Sequence, residues 1–451
     1  NFLRLQEEKP DLEEIGSYFD LMVISEVVDF INEFPEFGYL IINSMKTHRA
    51  TAVFKLLDIG NQKLIINKLE PHKTAELLNE LNPDDRIAFL EELPHLVLTE
   101  LIKLLNPEER KITLAMLGYP EDSVGRLMTP EYISVEQNTT IKEVFEVIRH
   151  KSKQFETSEI IYVIDQDGRL IDDIKIKDLI IADPEKKIIE ISDYRYESLN
   201  ANLDQEKAKQ IFKNSNRFAL PVVDDNQILL GIVTIDDILW VAEEEYSEDL
   251  QKMAASETFN EDYLSISIFK LIRKRVGWLI ILFLGELITA SVMSSVEDDL
   301  SRAIVLSLFI PLILSSGGNS GSQASTLIIQ GLTIGSIEAK DWVKVISREF
   351  FVGITLGFVL GLIGFIRVWG WYYISPEIIG SHPQAVSMVV LFSVMFIVMI
   401  GAITGSMLPL VMKRLGADPA VSSTPFVATI MDVSGILIYF TIARQLLDGI
   451  L

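Results

Sequence analysis

Five apolar stretches, near residues 276–293, 303–332, 351–369, 386–410 and 425–446, approach or exceed the roughly 20 residues that a helix needs to cross hydrocarbon. Buried helices of a large soluble domain rarely repeat such a run five times with so few charges, so residues 271–451 read as a membrane domain of five spans. The short loops orient it. Lys270, Arg273, Lys274 and Arg275 precede the first span, Lys340, Lys344 and Arg348 follow the second, and Lys413 and Arg414 follow the fourth. The alternate loops carry Glu297, Asp298 and Asp299 with Arg302, then Glu377 with Arg367. Basic loops face the cytoplasm, which puts residues 1–270 there and makes the chain a multi-pass protein in contact with membrane lipid.

Residues 271–451 hold 11 Lys+Arg and 11 Asp+Glu, so the whole net charge of −24 lies in residues 1–270, with 29 basic and 53 acidic groups. An acidic half of this kind repels nucleic acid and anionic lipid and concentrates divalent cations; no nucleic-acid partner is expected. Without cysteine there are no disulfides or thiolate metal sites. Oxygen ligands for hard cations such as Mg²⁺ or Ca²⁺ remain, with five histidines for softer metals. No basic, apolar and small-residue triad opens at Asn1, so no cleavable signal peptide is expected. The chain carries neither a GxxxxGK[ST] phosphate loop nor HExxH, and no enzymatic activity is expected.

Two features inside the spans point to ion passage. The second stretch is too long for one upright helix and contains Pro311, Gly317, Gly318 and Gly321 in PLILSSGGNSGSQAS. It is expected to break at depth, where freed carbonyls are natural cation ligands, the alternative being close helix packing through small residues. The fifth contains Asp432 amid apolar and small residues. Burying a carboxylate there costs about 2.5–3.5 kcal/mol, which a divalent cation offsets. Glu286 in the first span is a second intramembrane carboxylate, which faces either an ion or solvent and polar partners.

In the cytoplasmic half, LNPDDR at 81–86 recurs as LNPEER at 105–110, and Pro71, Pro83 and Pro107 mark successive helix starts in an array of helical hairpins. After Pro120, short β-branched runs alternate with amphipathic helices. IIYVIDQDGRLIDDIKIKDLI and LPVVDDNQILLGIVTIDDILW share one register, Asp165 preceding Asp178 as Asp224 precedes Asp237. This duplication resembles a pair of CBS modules over residues 128–240, most specifically in GIVTIDD at 231–237. In nucleotide-binding CBS modules a threonine and an aspartate three residues later hold phosphate and ribose. The resemblance therefore implies that Thr234 and Asp237 bind ATP or another adenosine nucleotide. The first copy departs from the pattern, with Asp172 and Lys175, so one site per chain is expected; the alternative is a pair that serves as a dimerisation plate. The acidic segment VAEEEYSEDLQKMAASETFNEDY then joins the modules to the membrane.

This order of parts resembles the MgtE family of Mg²⁺ channels, most specifically in PLILSSGGNSGSQ at 311–323 and ADPAVSSTPFVATIMD at 417–432. The resemblance implies a multi-domain chain. An α-helical superhelical domain spans 1–125, α+β tandem CBS modules 126–192 and 193–245, a connecting helix 246–270, and an α-helical transmembrane domain of five spans 271–451. It also implies a homodimer in a bacterial inner membrane, with the pore on its twofold axis. There Asp432 faces hydrated Mg²⁺ beside backbone carbonyls of Gly317, Gly318, Asn319 and Ala428. Thr424 stands where members of the family often carry asparagine. The resemblance further implies closure by cytosolic Mg²⁺, with Asp224, Asp249, Glu257, Glu261 and Asp418 as sensor ligands; Asp225, Glu248 and Asp262 are equally placed by charge. Two other readings remain: an ion-coupled antiporter using Glu286, and a membrane-anchored nucleotide or ion sensor.

Overall fold

The computed structural model describes residues 12–151, 156–157, 159–259, 263–264, 266–296, 304–422 and 424–447. They fall into two compact units, one comprising residues up to Glu245 with 260–265, the other Tyr246–Phe259 and Ile266–Leu451.

Among the described residues the first unit begins with nine short helices: α1 (Leu12–Phe19), α2 (Ile24–Glu33), α3 (Gly38–Ser44), α4 (Thr47–Phe54), α5 (Ile59–Lys68), α6 (Pro71–Glu80), α7 (Pro83–Glu91), α8 (His95–Leu104) and α9 (Pro107–Met116). The three prolines occupy the first helical turn, where their missing N–H costs nothing. Asn106 caps α9 by accepting the Glu109 N–H at 2.9 Å. The apolar faces meet in one core that includes Ile31, Phe54, Leu78 and Phe89, with the Phe54 and Phe89 rings edge to face at 5.3 Å.

The LNPDDR repeat has a structural cause. Arg86 is 1 % exposed and donates through Nε to Leu78 O at 2.7 Å and through Nη2 to Leu81 O at 2.7 Å. Arg110 does the same to Ile102 O at 3.1 Å and Leu105 O at 2.9 Å. Each guanidinium thus satisfies the unpaired carbonyls that end the preceding helix. Gln62 repeats the motif one hairpin earlier, donating to Phe54 O at 2.9 Å, a third copy that its different residue type hides in the sequence.

The rest of this unit comprises α10 (Val124–Leu127) and two copies of one small module. The first contains β1 (Ser134–Glu136), α11 (Ile141–Lys151), β2 (Ile160–Ile164), β3 (Leu170–Lys175) and α12 (Ile176–Ile181). The second contains β4 (Leu199–Asn200), α13 (Gln205–Ser215), β5 (Ala219–Val223), β6 (Leu229–Thr234) and α14 (Ile235–Met253). In each, a parallel strand pair is followed by an antiparallel hairpin, with a register shift at Val163/Ile164 and again at Val222/Val223. The hairpin turns bind each other: Leu170 N donates to Gln227 O at 2.9 Å and Leu229 N to Gly168 O at 3.0 Å. At Gly231 a Cβ would lie 2.7 Å from Thr129 O, which explains the glycine of GIVTIDD. Asp172, its counterpart, is buried and accepts the Asp193 and Tyr194 N–H groups at 2.9 and 3.1 Å.

The second unit holds α15 (Ile268–Ser295), α16 (Ile304–Ser307), α17 (Ile310–Ile334), α18 (Trp342–Ile374), α19 (Pro376–Ile379), α20 (Pro383–Arg414) and α21 (Thr424–Leu447). Among the described residues five helices are long and apolar enough to span a membrane, each extending past its apolar stretch in the sequence. Two expectations change. The acidic connection is not a separate helix over 246–270: α14 continues from the second CBS-like module to Met253, and the described residues from there to Ser267 are not helical. The second span does not break at its glycines; α17 runs through Gly317, Gly318 and Gly321, and the interruption falls earlier, at Leu308–Phe309. The glycines serve close packing instead. A Cβ at Gly321 would lie 3.0 Å from Gly401 O, and one at Gly405 would collide with Gly321 O. In lipid, where apolar burial drives no association, such backbone contact is what joins helices.

Arg86→Met leaves three carbonyls and Glu109, 2.7 Å from the guanidinium, without their cation; chemical denaturation of the full-length protein is expected to show about 3–5 kcal/mol lost from the first unit. Gly405→Val forces α17 and α20 apart, and a lower thermal midpoint with less monodisperse protein in detergent is the expected outcome.

Candidate functional site

α21 carries Asp432 half-buried in its first half. The carboxyl is hydrogen-bonded to that of Glu286 on α15, the acidic residue of the first apolar stretch. The helices meet where Gly285 faces Thr429: a Cβ on Gly285 would run into the Thr429 side chain. The threonine hydroxyl turns back to Pro425 O at 3.1 Å, leaving the carboxyls as the polar groups that join the helices here.

α17 flanks the first half of α21. A Cβ on Gly318 would sit 3.4 Å from that of Ala428, Ser322 Oγ donates to Thr424 O at 3.1 Å, and Ser325 Oγ donates to Ser422 O at 3.1 Å. Because both helices are unbroken, the carbonyls of Gly317, Gly318, Asn319 and Ala428 lie within intrahelical ladders. The freed carbonyls expected of a helix break are not there, and Gly317 and Gly318 are buried packing residues. Asn319 is exposed, with its amide 3.3 Å from Ser315 Oγ. Of the pore set, Asp432 alone brings an ionisable side chain into the spans.

The expected sensor residues within the second unit are spoken for in other ways. Lys252 on α14 places its ammonium 2.6 Å from Asp418 Oδ2 and 2.7 Å from Glu248 Oε1, so a tethered cation lies between two carboxylates. Burial opposes that charge, and the bonds to Asp418 and Glu248 outweigh it, raising the pKa of Lys252. Asp249 Oδ2 accepts the Thr333 hydroxyl at 3.0 Å, and Glu257 lies 3.7 Å from Lys274 Nζ. Glu261 lies outside the described residues. In the first unit, Asp224 folds its own hairpin turn, accepting Ile228 and Asn226 N–H at 2.8 Å each, bonds that hold its carboxyl below the usual range. Among the described residues no group of three acidic or histidine side chains is placed to hold a metal ion. The Glu248–Lys252 pair was readable from the i, i+4 spacing of EDLQK; its continuation to Asp418 was not.

Thr234 and Asp237 stand together, but as a helix cap. Thr234 Oγ1 donates to Asp237 Oδ2 at 2.5 Å and Thr234 N to the same oxygen at 3.2 Å, at the start of α14. The threonine is buried, and burial pushes the Asp237 carboxyl up to about 7.

Five long apolar helices with an internal carboxyl pair, preceded by a helical array and two CBS-like modules, define a membrane transport protein with a large acidic N-terminal region. Comparison with known proteins makes this specific. A profile described as a divalent cation transporter (MgtE) matches residues 310–442, one for the MgtE intracellular N domain residues 22–122, and one for the CBS domain residues 124–185 and 188–244. The chain is 38 % identical over 336 residues to the magnesium transporter MgtE of Thermus thermophilus, covering 74 % of this chain and 72 % of that one. It is 31 % identical over 340 residues to that of Bacillus subtilis, covering 75 % and 73 %. A crystal structure of the cytosolic domain of the Mg²⁺ channel MgtE in complex with ATP, 31 % identical, superposes with a TM-score of 0.50 over 53 % of this chain and 99 % of that one. The chain belongs to the MgtE family.

Lys252→Gln leaves Glu248 and Asp418 facing each other without a cation. In Mg²⁺-free buffer, protease cleavage between Ala254 and Phe259 of the full-length protein is expected to accelerate by roughly two- to fivefold, the opening due to loss of a partly exposed ion pair.

Proposed function

We propose that this protein carries Mg²⁺ across the bacterial cell membrane into the cytoplasm, with the ion passing Asp432, and that Mg²⁺ on the cytoplasmic side closes the path. Asp432 is the observation that carries the reading: a carboxyl inside an apolar span, bonded to a second one from another span, is expensive in lipid and is retained where charge must pass. Kinship with magnesium transporters over three quarters of the chain supplies the cargo. Mg²⁺ sheds water reluctantly and keeps octahedral geometry, so carboxylates acting through its inner waters suit it better than a closed cage.

A homodimer with the pore on its twofold axis gives two Asp432 carboxylates to one hydrated ion. The half-exposure of Asp432 and the exposure of Asn319 in the single chain agree with that arrangement. With the α17 carbonyls in their ladder, selectivity rests on side chains and water, not on a carbonyl filter. The residues assigned to sensing are Asp224, Asp249, Glu257, Glu261 and Asp418, with Lys252 competing for Asp418. Without divalent ions the 53 acidic groups of residues 1–270 repel; ions bound preferentially to the closed state shift the balance toward it. An adenosine nucleotide at the CBS-like pair is a second effector, in keeping with the ATP-bound relative. For Thr234 and Asp237 to hold it, their mutual hydrogen bond must open.

The Glu286–Asp432 hydrogen bond also favours a second reading, exchange of Mg²⁺ against H⁺ or Na⁺. Both are settled by Mg²⁺ entry into dye-loaded liposomes carrying the full-length protein. Wild type is expected to conduct down a Mg²⁺ gradient with no counter-ion gradient, Asp432→Ala to lose at least about 90 % of that flux, and millimolar Mg²⁺ on the cytoplasmic face to suppress it. Flux that needs an opposing H⁺ or Na⁺ gradient selects the exchanger, and Asp432→Ala with undiminished flux removes the pore assignment.

A further inference from the structure

α18 is 33 residues long, about 50 Å at 1.5 Å per residue, well beyond the roughly 30 Å of hydrocarbon it has to cross. Two exposed arginines, Arg348 and Arg367, mark off its apolar middle. They lie 19 residues apart, about 28 Å along the axis, which is one hydrocarbon thickness. A guanidinium is costly inside lipid and settles at its edge. With Arg348 at the cytoplasmic edge, Arg367 stands at the outer one. The residues that follow agree: Trp369, Trp371, Tyr372 and Tyr373 make the aromatic belt of a membrane–water boundary.

Trp371 holds Arg367 in place. The guanidinium lies over the indole, 4.1 Å from the ring centroid, and the indole packs on the buried ring of Phe309 at 5.9 Å between centroids. The aromatic face shields one side of the cation and leaves its N–H groups for another partner. Among the described residues no carboxylate or carbonyl takes them, Glu377 of the following loop included. Toward the membrane centre, Ile363, Leu360 and Leu356 follow at steps of four, three and four residues, so they continue one face of the helix below Arg367. They are 59, 42 and 46 % exposed, because α20 packs on the neighbouring glycines Gly353, Gly357 and Gly361 and leaves this stripe uncovered.

A cation at the edge of hydrocarbon, an apolar stripe beneath it, an aromatic rim and no anion from the chain itself together have the layout of a phospholipid. We propose that Arg367, seated on Trp371, binds the phosphate of an outer-leaflet phospholipid, one acyl chain lying along Ile363, Leu360 and Leu356. The phosphodiester brings the negative charge that the guanidinium lacks, and its two unesterified oxygens match two parallel N–H donors. A second copy of the chain fits this face less well. It would have to bring a carboxylate to that depth, and the carboxylates within the apolar stretches, Glu286 and Asp432, bond each other. The site belongs to the outer leaflet and is independent of the ion path proposed above.

Tryptophan emission reads this site. Replacing Trp240, Trp278 and Trp342 by phenylalanine leaves Trp369 and Trp371 as reporters in the full-length protein. That protein is placed in liposomes of phosphatidylglycerol mixed with digalactosyldiacylglycerol, a bilayer lipid without phosphate, one or the other brominated in its chains as a quencher. Quenching is expected to show phosphatidylglycerol preferred at the reporters by about three- to tenfold. Arg367→Met is expected to bring that ratio to about one, and Arg367→Lys, which keeps the charge and loses the fork, to fall between. Arg348→Met, which removes the same charge from the other end of α18, is expected to leave the ratio as in the parent. A parent ratio of one, or a preference that survives Arg367→Met, overturns the proposal. Quenching by neither lipid also overturns it, in favour of a second copy covering this face, and so does a preference abolished by millimolar inorganic phosphate, in favour of a site for the free anion. Because transport is not the readout, no result bears on the assignment of Asp432.

Discussion

The membrane unit depends on one backbone contact, the crossing of α17 and α20 at Gly317, Gly321, Gly401 and Gly405. Gly401 and Gly405 bring no side chain to the crossing, so the two helices approach until the carbonyl oxygens of Gly317 and Gly321 limit them. That approach sets the place of every other span. α21 packs on the same segment of α17, with Val427 on Gly321 and Ala428 on Gly318, and α18 joins α20 through Gly353, Gly357 and Gly361. Asp432 owes its position to this arrangement and not to anything near it in sequence. Because the same glycines that hold the bundle were the candidates for an ion filter, packing and selectivity make opposing demands on one segment, and in this conformation packing prevails.

The cytoplasmic half answers a different difficulty, the surplus of carboxylates. Two structural uses recur. Some fold the backbone, as Asp224 and Asp165 do in the two hairpin turns. Some take a tethered cation, as Asp418 takes Lys252 and Asp173 takes Arg217 at 2.9 Å. Interactions that consume a carboxylate in a structural role remove it from the pool open to a soluble ion, so fewer carboxylates are free to bind cations than the charge of this half suggests.

Much of the fold was legible because it is written in local pattern. Hydropathy located all five spans, the prolines placed α6, α7 and α9, and the shared spacing of Asp165 and Asp224 anticipated matching hairpins. What failed was the reading of the glycines, and the physical reason is plain: glycine in an apolar run serves equally to break a helix and to admit another. The recurrence of the four-residue spacing of Gly317 and Gly321 at Gly401 and Gly405 was the available signal for packing. The candidate site was half legible. Asp432 stood out by itself, whereas its bond to Glu286 and the salt link of Lys252 to Asp418 join residues distant in the chain, and no sequence period records them.

The pairing of α15 with α21 has a consequence for how the protein is made. The first span to enter the bilayer carries Glu286, and its chief packing partner is the last span of the chain. At synthesis rates of about 5–20 residues per second, the first span waits on the order of ten seconds before Asp432 exists. During that interval its carboxyl lacks the partner it has in the finished bundle, and the bundle cannot close. Assembly is therefore completed from the end backwards, and a truncation that removes α21 strands α15 as well.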